Sequence, residues 1–112
     1  MEALFKKILK FRDDRDWAQY HDPKNLSQAI SIEAAELQEI FLWKTAAESR
    51  NVPAAKIDQI KEELADIFIF MVYLCAEFNI DLLAEVEKKL EKNARRYPIE
   101  KSKGRNTKYT EL

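Results

Sequence analysis

Between positions 57 and 74 the apolar residues fall at Ile57, Ile60, Leu64, Ile67, Met71 and Leu74, in steps that alternate between three and four. A strand repeats every two residues and a helix every 3.6, so this run specifies a long helix carrying one apolar seam of the kind that closes helical bundles. Little elsewhere would break helices, because the 112 residues include one glycine and three prolines. The pattern predicts an all-α fold: a four-helix bundle with a C-terminal tail, built as one domain over residues 1–112.

The first helix is expected from about Glu2 to Trp17, on the strength of Leu4, Ile8 and Phe11. Asp22-Pro23 interrupts it, since proline disfavours helix at the preceding residue and suits the first turn of the next. The second helix is expected from about Asn25 to Ala46, with Leu26, Ile30, Glu33, Leu37 and Ile40 as its seam. A polar connection, Glu48 to Pro53, leads to a third helix from about Ala54 to Phe78. Asn79 or Asp81 can cap a fourth, running to about Tyr97 on Leu83, Val86, Leu90, Asn93 and Tyr97. Residues 99–112, with Lys101, Lys103, Arg105 and Lys108, are expected to form an irregular tail.

A net charge of −1 provides no bulk field to recruit nucleic acid or a membrane surface. The longest strongly apolar run, Ile67 to Ala76, is about half of what a bilayer crossing needs. The start, Met1-Glu-Ala-Leu-Phe-Lys-Lys, is amphipathic at once and unlike a secretory signal. Cys75 is the lone cysteine and sits in the apolar run, where it reads as a small hydrophobe. These features predict a soluble protein of a reducing, cytoplasmic setting.

The chemistry lies in four acids, Glu33-x-x-Glu36 and Glu63-x-x-Asp66. Their spacing alone is weak evidence, since 20 acids would give about as many such pairs by chance as the four present. Their placement says more. Glu33 interrupts an apolar seam and shares a stripe with Ala29, Glu36, Ile40 and Trp43, while Glu63 and Asp66 share one with Gln59, Phe70 and Tyr73. Desolvating a lone carboxylate is costly, so an acid in a seam calls for a cation or a hydrogen-bonded partner.

Side chains at i and i+3 stand about 5 to 6 Å apart, close enough for two carboxylates to share a hard cation. Oxygen ligands without thiolate or imidazole select Mg²⁺, with Mn²⁺ as a substitute, and magnesium is commonly completed by substrate phosphates. The bland alternative is a pair of solvated acidic faces. A di-iron carboxylate bundle would need Glu-x-x-His on two helices, and the single histidine, His21, precedes the second helix. Taken alone, His21 is a loop histidine, Trp17 and Trp43 are core or dimer-interface aromatics, and Lys89, Asn93 and Arg96 are a stripe of donors facing solvent or an anion.

Longer segments carry a resemblance: Arg15-Asp-Trp17-Ala-Gln-Tyr-His21-Asp-Pro-Lys-Asn25-Leu, the stretch Glu33 to Lys44, Glu62-Glu-Leu-Ala-Asp66, Asn93-Ala-Arg-Arg-Tyr97-Pro98 and Lys108-Tyr-Thr-Glu-Leu112. From Phe11 onward the chain resembles the MazG-like all-α nucleoside triphosphate pyrophosphohydrolases, most closely their dCTP pyrophosphatase branch. The resemblance implies hydrolysis of a dNTP, foremost dCTP or a modified dCTP, to the monophosphate and pyrophosphate. It implies Mg²⁺ on Glu33, Glu36, Glu63 and Asp66, and attack of water on the α-phosphorus.

It also implies a substrate pocket that draws on Trp17, His21, Asn25, Trp43, Phe70, Lys89, Asn93, Arg96, Tyr97 and Lys108. Phe70 falls where close relatives can carry a tyrosine that touches substrate. Glu36 is the nominee for accepting the water's proton. Relatives assemble bundles from two chains, which implies a homodimer or homotetramer here. The competing readings are a pyrophosphohydrolase of another nucleoside triphosphate, and a non-enzymatic helical scaffold whose acids bind a structural ion.

Overall fold

The structure, a computed structural model, describes residues 1–112, and its only regular elements are helices, with no strand. Six α-helices follow in order: α1 (Glu2–Asp14), α2 (Pro23–Glu39), α3 (Ala46–Arg50), α4 (Ala54–Glu77), α5 (Leu82–Arg96) and α6 (Ile99–Ser102). Short 3-10 turns occupy Ala18–Tyr20 and Tyr109–Glu111. No single helix is long and apolar enough to cross a membrane. Two compact units are present, residues 1–79 and 80–112.

In the first unit α4 packs mainly on α2 and also on α1. Its core is small: Ile8 from α1, Leu26 from α2, and Val72 and Tyr73 from α4, flanked by Phe5, Leu9, Phe68, Ile69, Phe70 and Leu74. The α2 seam is as expected, since Leu26 and Ile40 are buried and Ile30, Glu33 and Leu37 half-buried. The α4 seam is not. Ile57 and Leu64 stand exposed, Leu64 by 52%, whereas Tyr73 on the neighbouring stripe is 3% exposed. The helix is apolar on two sides, and the side bearing Glu63, Phe70 and Tyr73 is the one turned inward within this unit.

Helix ends account for the other departures. α1 stops at Asp14 rather than Trp17 because Asp16 turns left-handed, φ 54°, and the Asp16 and Trp17 N–H groups close back on the Asp13 and Arg12 carbonyls. Asp22 caps α2, its Oδ1 accepting from the Asn25 N–H at 2.8 Å, with Pro23 in the first turn. α2 ends at Glu39, seven residues short of Ala46, and gives way to three-residue turns through Lys44. Thr45 is extended and caps α3 with a reciprocal box: its hydroxyl accepts from the Glu48 N–H and the Glu48 carboxylate accepts from the Thr45 N–H. The connection expected to run from Glu48 to Pro53 therefore begins inside α3.

In the second unit Asp81 caps α5, accepting from the Ala84 N–H at 3.2 Å. None of the residues of α5 is buried, and Leu83, Val86 and Leu90 form an exposed apolar stripe. Residues 99–112, expected to be irregular, instead hold α6 and the second 3-10 turn. Pro98 sets up α6 as its N-cap, and the Tyr109 ring packs edge-on to Tyr97 at 5.8 Å.

Candidate active site

Glu33 and Glu36 project from α2 and Glu63 from α4. One carboxylate oxygen from each lies within 4.8 Å of the others. The Oε2 atoms of Glu33 and Glu63 are buried and meet no donor. Three acceptors facing one another are held together only by a proton or a cation. Glu33 accordingly has its pKa raised from 4.5 to about 7, first by the hydrogen bond that its protonated form makes to Glu63, then by burial, then by Glu36. The charge of Asp66 adds to that rise, although Asp66 is exposed and stands outside the three-glutamate cluster. The cluster opens into a cleft lined by Glu36, Glu39, Ile40, Lys56, Gln59, Glu62 and Glu63.

An aromatic group occupies the same unit. His21 lies 4.9 Å from the Tyr73 ring and 6.4 Å from Phe70, with Trp17 beyond it at 6.5 Å and Phe11 edge-on to Trp17 at 5.8 Å. Burial lowers the His21 pKa and nearby Arg12 lowers it further, opposed by Glu77. The ring is thus biased to the neutral form, and its Nδ1 is buried without a partner. The Arg15 guanidinium stacks on Phe11 at 3.6 Å. Trp17 itself is partly exposed, which leaves a planar surface open. Asn25 is committed to local contacts here, its amide nitrogen donating to the Tyr20 backbone carbonyl and to the Asp22 side chain at Oδ2.

Trp43 departs from the stripe expected of it. With α2 ended at Glu39 it takes a left-handed φ of 65° and is 92% exposed, beside Ala35, Gln38, Glu39 and Leu42 and outside the three-glutamate cluster. In the second unit Lys89 and Lys108 are exposed, Asn93 is half-buried, and the Arg96 guanidinium stacks on Tyr109 at 4.4 Å.

Residues 28–112 match the sequence model of the MazG-like family. The chain belongs to the MazG-like family. It is 39% identical to dCTP pyrophosphatase 1 of Mus musculus over an alignment that takes in the whole chain and 67% of that protein. The Homo sapiens protein of the same name gives the same identity and coverage. A crystal structure of a pyrophosphatase from Archaeoglobus fulgidus superposes with a TM-score of 0.83 at 43% identity, covering 88% of this chain and 92% of that one.

In this MazG-like chain the donor set suits a hard divalent cation: carboxylates from two helices, two of their buried oxygens without a donor, and no thiolate or imidazole among them. Glu33, Glu36 and Glu63 would hold such an ion, with Asp66 one turn beyond Glu63. Lys56, Glu39 and Glu62, none of them expected at the site from the sequence, share the cleft with Glu36 and Glu63. Lys56 was legible, because positions 56, 59, 63, 66 and 70 step by three and four along one stripe of α4.

Proposed function

We propose that this protein is a Mg²⁺-dependent nucleoside triphosphate pyrophosphohydrolase that converts a dNTP, foremost dCTP or a modified dCTP, to dNMP and pyrophosphate. It would clear the cytoplasmic nucleotide pool, with neither nucleic acid nor membrane as partner. The observation that carries the reading is the meeting of Glu33, Glu36 and Glu63 within 4.8 Å in a chain of this family. The cytosine preference is supported by the names of the vertebrate relatives alone.

Magnesium held by Glu33, Glu36, Glu63 and Asp66 would neutralise phosphate charge and polarise the phosphorus. Glu36 is the most exposed of the three clustered acids, which supports its assignment as the acceptor of a proton from an attacking water. The water oxygen bonds to the α-phosphorus as the bond from that phosphorus to the α,β-bridging oxygen breaks. The bridging oxygen departs with pyrophosphate. Trp17, His21 and Phe70 would wall the base, and burial keeps His21 neutral for that contact. Asn25 acts by fixing the His21 segment to the start of α2. Trp43, Lys89, Asn93, Arg96, Tyr97 and Lys108 are assigned to substrate by the family resemblance alone.

Product identity tests this directly. ³¹P NMR of a dNTP digest with Mg²⁺ is expected to show monophosphate and pyrophosphate, with dCTP or a modified dCTP turned over fastest in a panel of dNTPs and phosphoribosyl-ATP. Release of orthophosphate, or of nothing, refutes the reaction; equal rates across the panel refute the cytosine preference.

The exposed apolar residues of α4 and α5, Leu64 at 52% and Leu90 at 63% among them, are more than a stable monomer usually leaves in water. Sedimentation is expected to find a dimer or tetramer at micromolar concentration, and Leu90→Glu to shift it to smaller species. A monomeric wild-type protein contradicts this.

A further inference from the structure

We infer that Lys56 binds the departing pyrophosphate, so that the substrate lies along α4 with its base toward Phe70 and its terminal phosphates toward the start of the helix. The inference rests on the pyrophosphohydrolase reading and adds a direction and a residue to it.

Three chemistries are strung along one stripe of α4. Glu63, with Asp66 a turn on, occupies the middle. Phe70 lies seven residues toward the C-terminus, about 10 Å along the axis, and is ringed by His21 at 6.4 Å and Tyr73 at 6.3 Å. Lys56 lies seven residues the other way, about 10 Å along, with Gln59 on the turn between. A nucleoside triphosphate has the same order: a flat apolar base, the phosphorus that is attacked, and an anionic end. With the α-phosphorus at the carboxylates and the base at the aromatic end, the β- and γ-phosphates point toward Lys56.

The state of Lys56 supports the assignment. It is half-buried and is the sole cation lining a cleft that also holds Glu36, Glu39, Glu62 and Glu63. It nevertheless forms no ion pair, whereas the exposed Lys61 on the same helix reaches Asp58 at 4.0 Å. A lysine serving only to neutralise those acids would close on one of them. Its ammonium carries three donors on a flexible stem, suited to phosphate oxygens that arrive with their own cation. The first turn of α4 adds to this, because Pro53 provides no side-chain cap and the positive end of the helix dipole lies beside Lys56.

The test compares wild type with Lys56→Met and Lys56→Arg, checked for fold by circular dichroism. Product inhibition by pyrophosphate and by dCMP is measured at saturating free Mg²⁺, and Mn²⁺ binding is measured without nucleotide by electron paramagnetic resonance. Lys56→Met is expected to weaken pyrophosphate inhibition about tenfold and to raise KM, leaving dCMP inhibition within about twofold, and Lys56→Arg to recover most of the loss. Unchanged pyrophosphate inhibition overturns the inference, and a concurrent rise in Mn²⁺ affinity would show Lys56 to be a counter-ion of the acids. Equal weakening for both products also overturns it, because no direction would then exist. A wild-type protein that releases no pyrophosphate from any triphosphate refutes the underlying reading before any variant is made.

Discussion

Glu36→Gln is expected to lower turnover by at least about a thousandfold while the helices and the oligomer persist. The substitution keeps the size of the side chain and removes one negative charge and a proton acceptor. Glu36 is exposed on α2 and belongs to the three-glutamate cluster, so the change removes one of its two carboxylate oxygens and, in the roles proposed for it, both a metal ligand and the acceptor of the water's proton. The stability cost should be small and of favourable sign, because Glu36 is among the groups that oppose ionisation of Glu33. Steady-state rates with dCTP, together with circular dichroism and sedimentation, separate a chemical defect from a folding one. Turnover within about tenfold of wild type would dismiss the role assigned to Glu36.

How far the site could be read from the chain depends on what kind of signal each part carries. Glu33 was legible because a carboxylate inside an apolar seam violates the pattern, and the structure places it half-buried with Glu36 and Glu63. The start of α5 was legible because Asp81 is a side-chain cap with a short reach in sequence, and the start of α2 was legible to within two residues because Pro23 suits a first turn, although the cap by Asp22 was not read. The end of α2 misled, since Ile40, Phe41, Leu42 and Trp43 continue an apolar run with no glycine or proline to stop it. The Thr45-Ala-Ala-Glu48 capping box, a pattern visible in the sequence, holds Thr45 extended and so bars α2 from reaching Ala46. Which side of α4 turns inward could not be read at all. Both sides are apolar, and the choice depends on how α2 and α1 pack against it.

Raising the pH from about 5 to about 8 is expected to destabilise the metal-free protein, and Mg²⁺ to offset the loss at the upper end. The cause is Glu33, whose pKa of about 7 in the fold stands above its ordinary 4.5. Below 4.5 both folded and unfolded chains hold the proton, and the stabilisation is fully present. Between the two values the unfolded chain releases its proton while the folded one keeps it, so stability falls as pH rises, and above 7 the loss is complete. Allowing for solvent around a half-buried carboxylate, Tm should drop on the order of 5 °C.

His21 works in the opposite sense. Its pKa is lowered from 6.5, so its contribution is present above 6.5 and fades as pH falls below it. The difference between wild type and Glu33→Gln therefore isolates Glu33: the variant should lose the downward slope and retain the His21 trend. A divalent ion competes with the Glu33 proton, so its affinity should climb with pH up to about 7. At a hundred times its Kd the ion contributes about 2.7 kcal/mol, a rise in Tm on the order of 10 °C near pH 8 and much less near pH 5. Thermal melts across that range, with and without Mg²⁺, decide the matter. An unaltered slope in Glu33→Gln, or an equal Mg²⁺ shift at both ends, would mean that Glu33 does not hold the proton that the metal must displace.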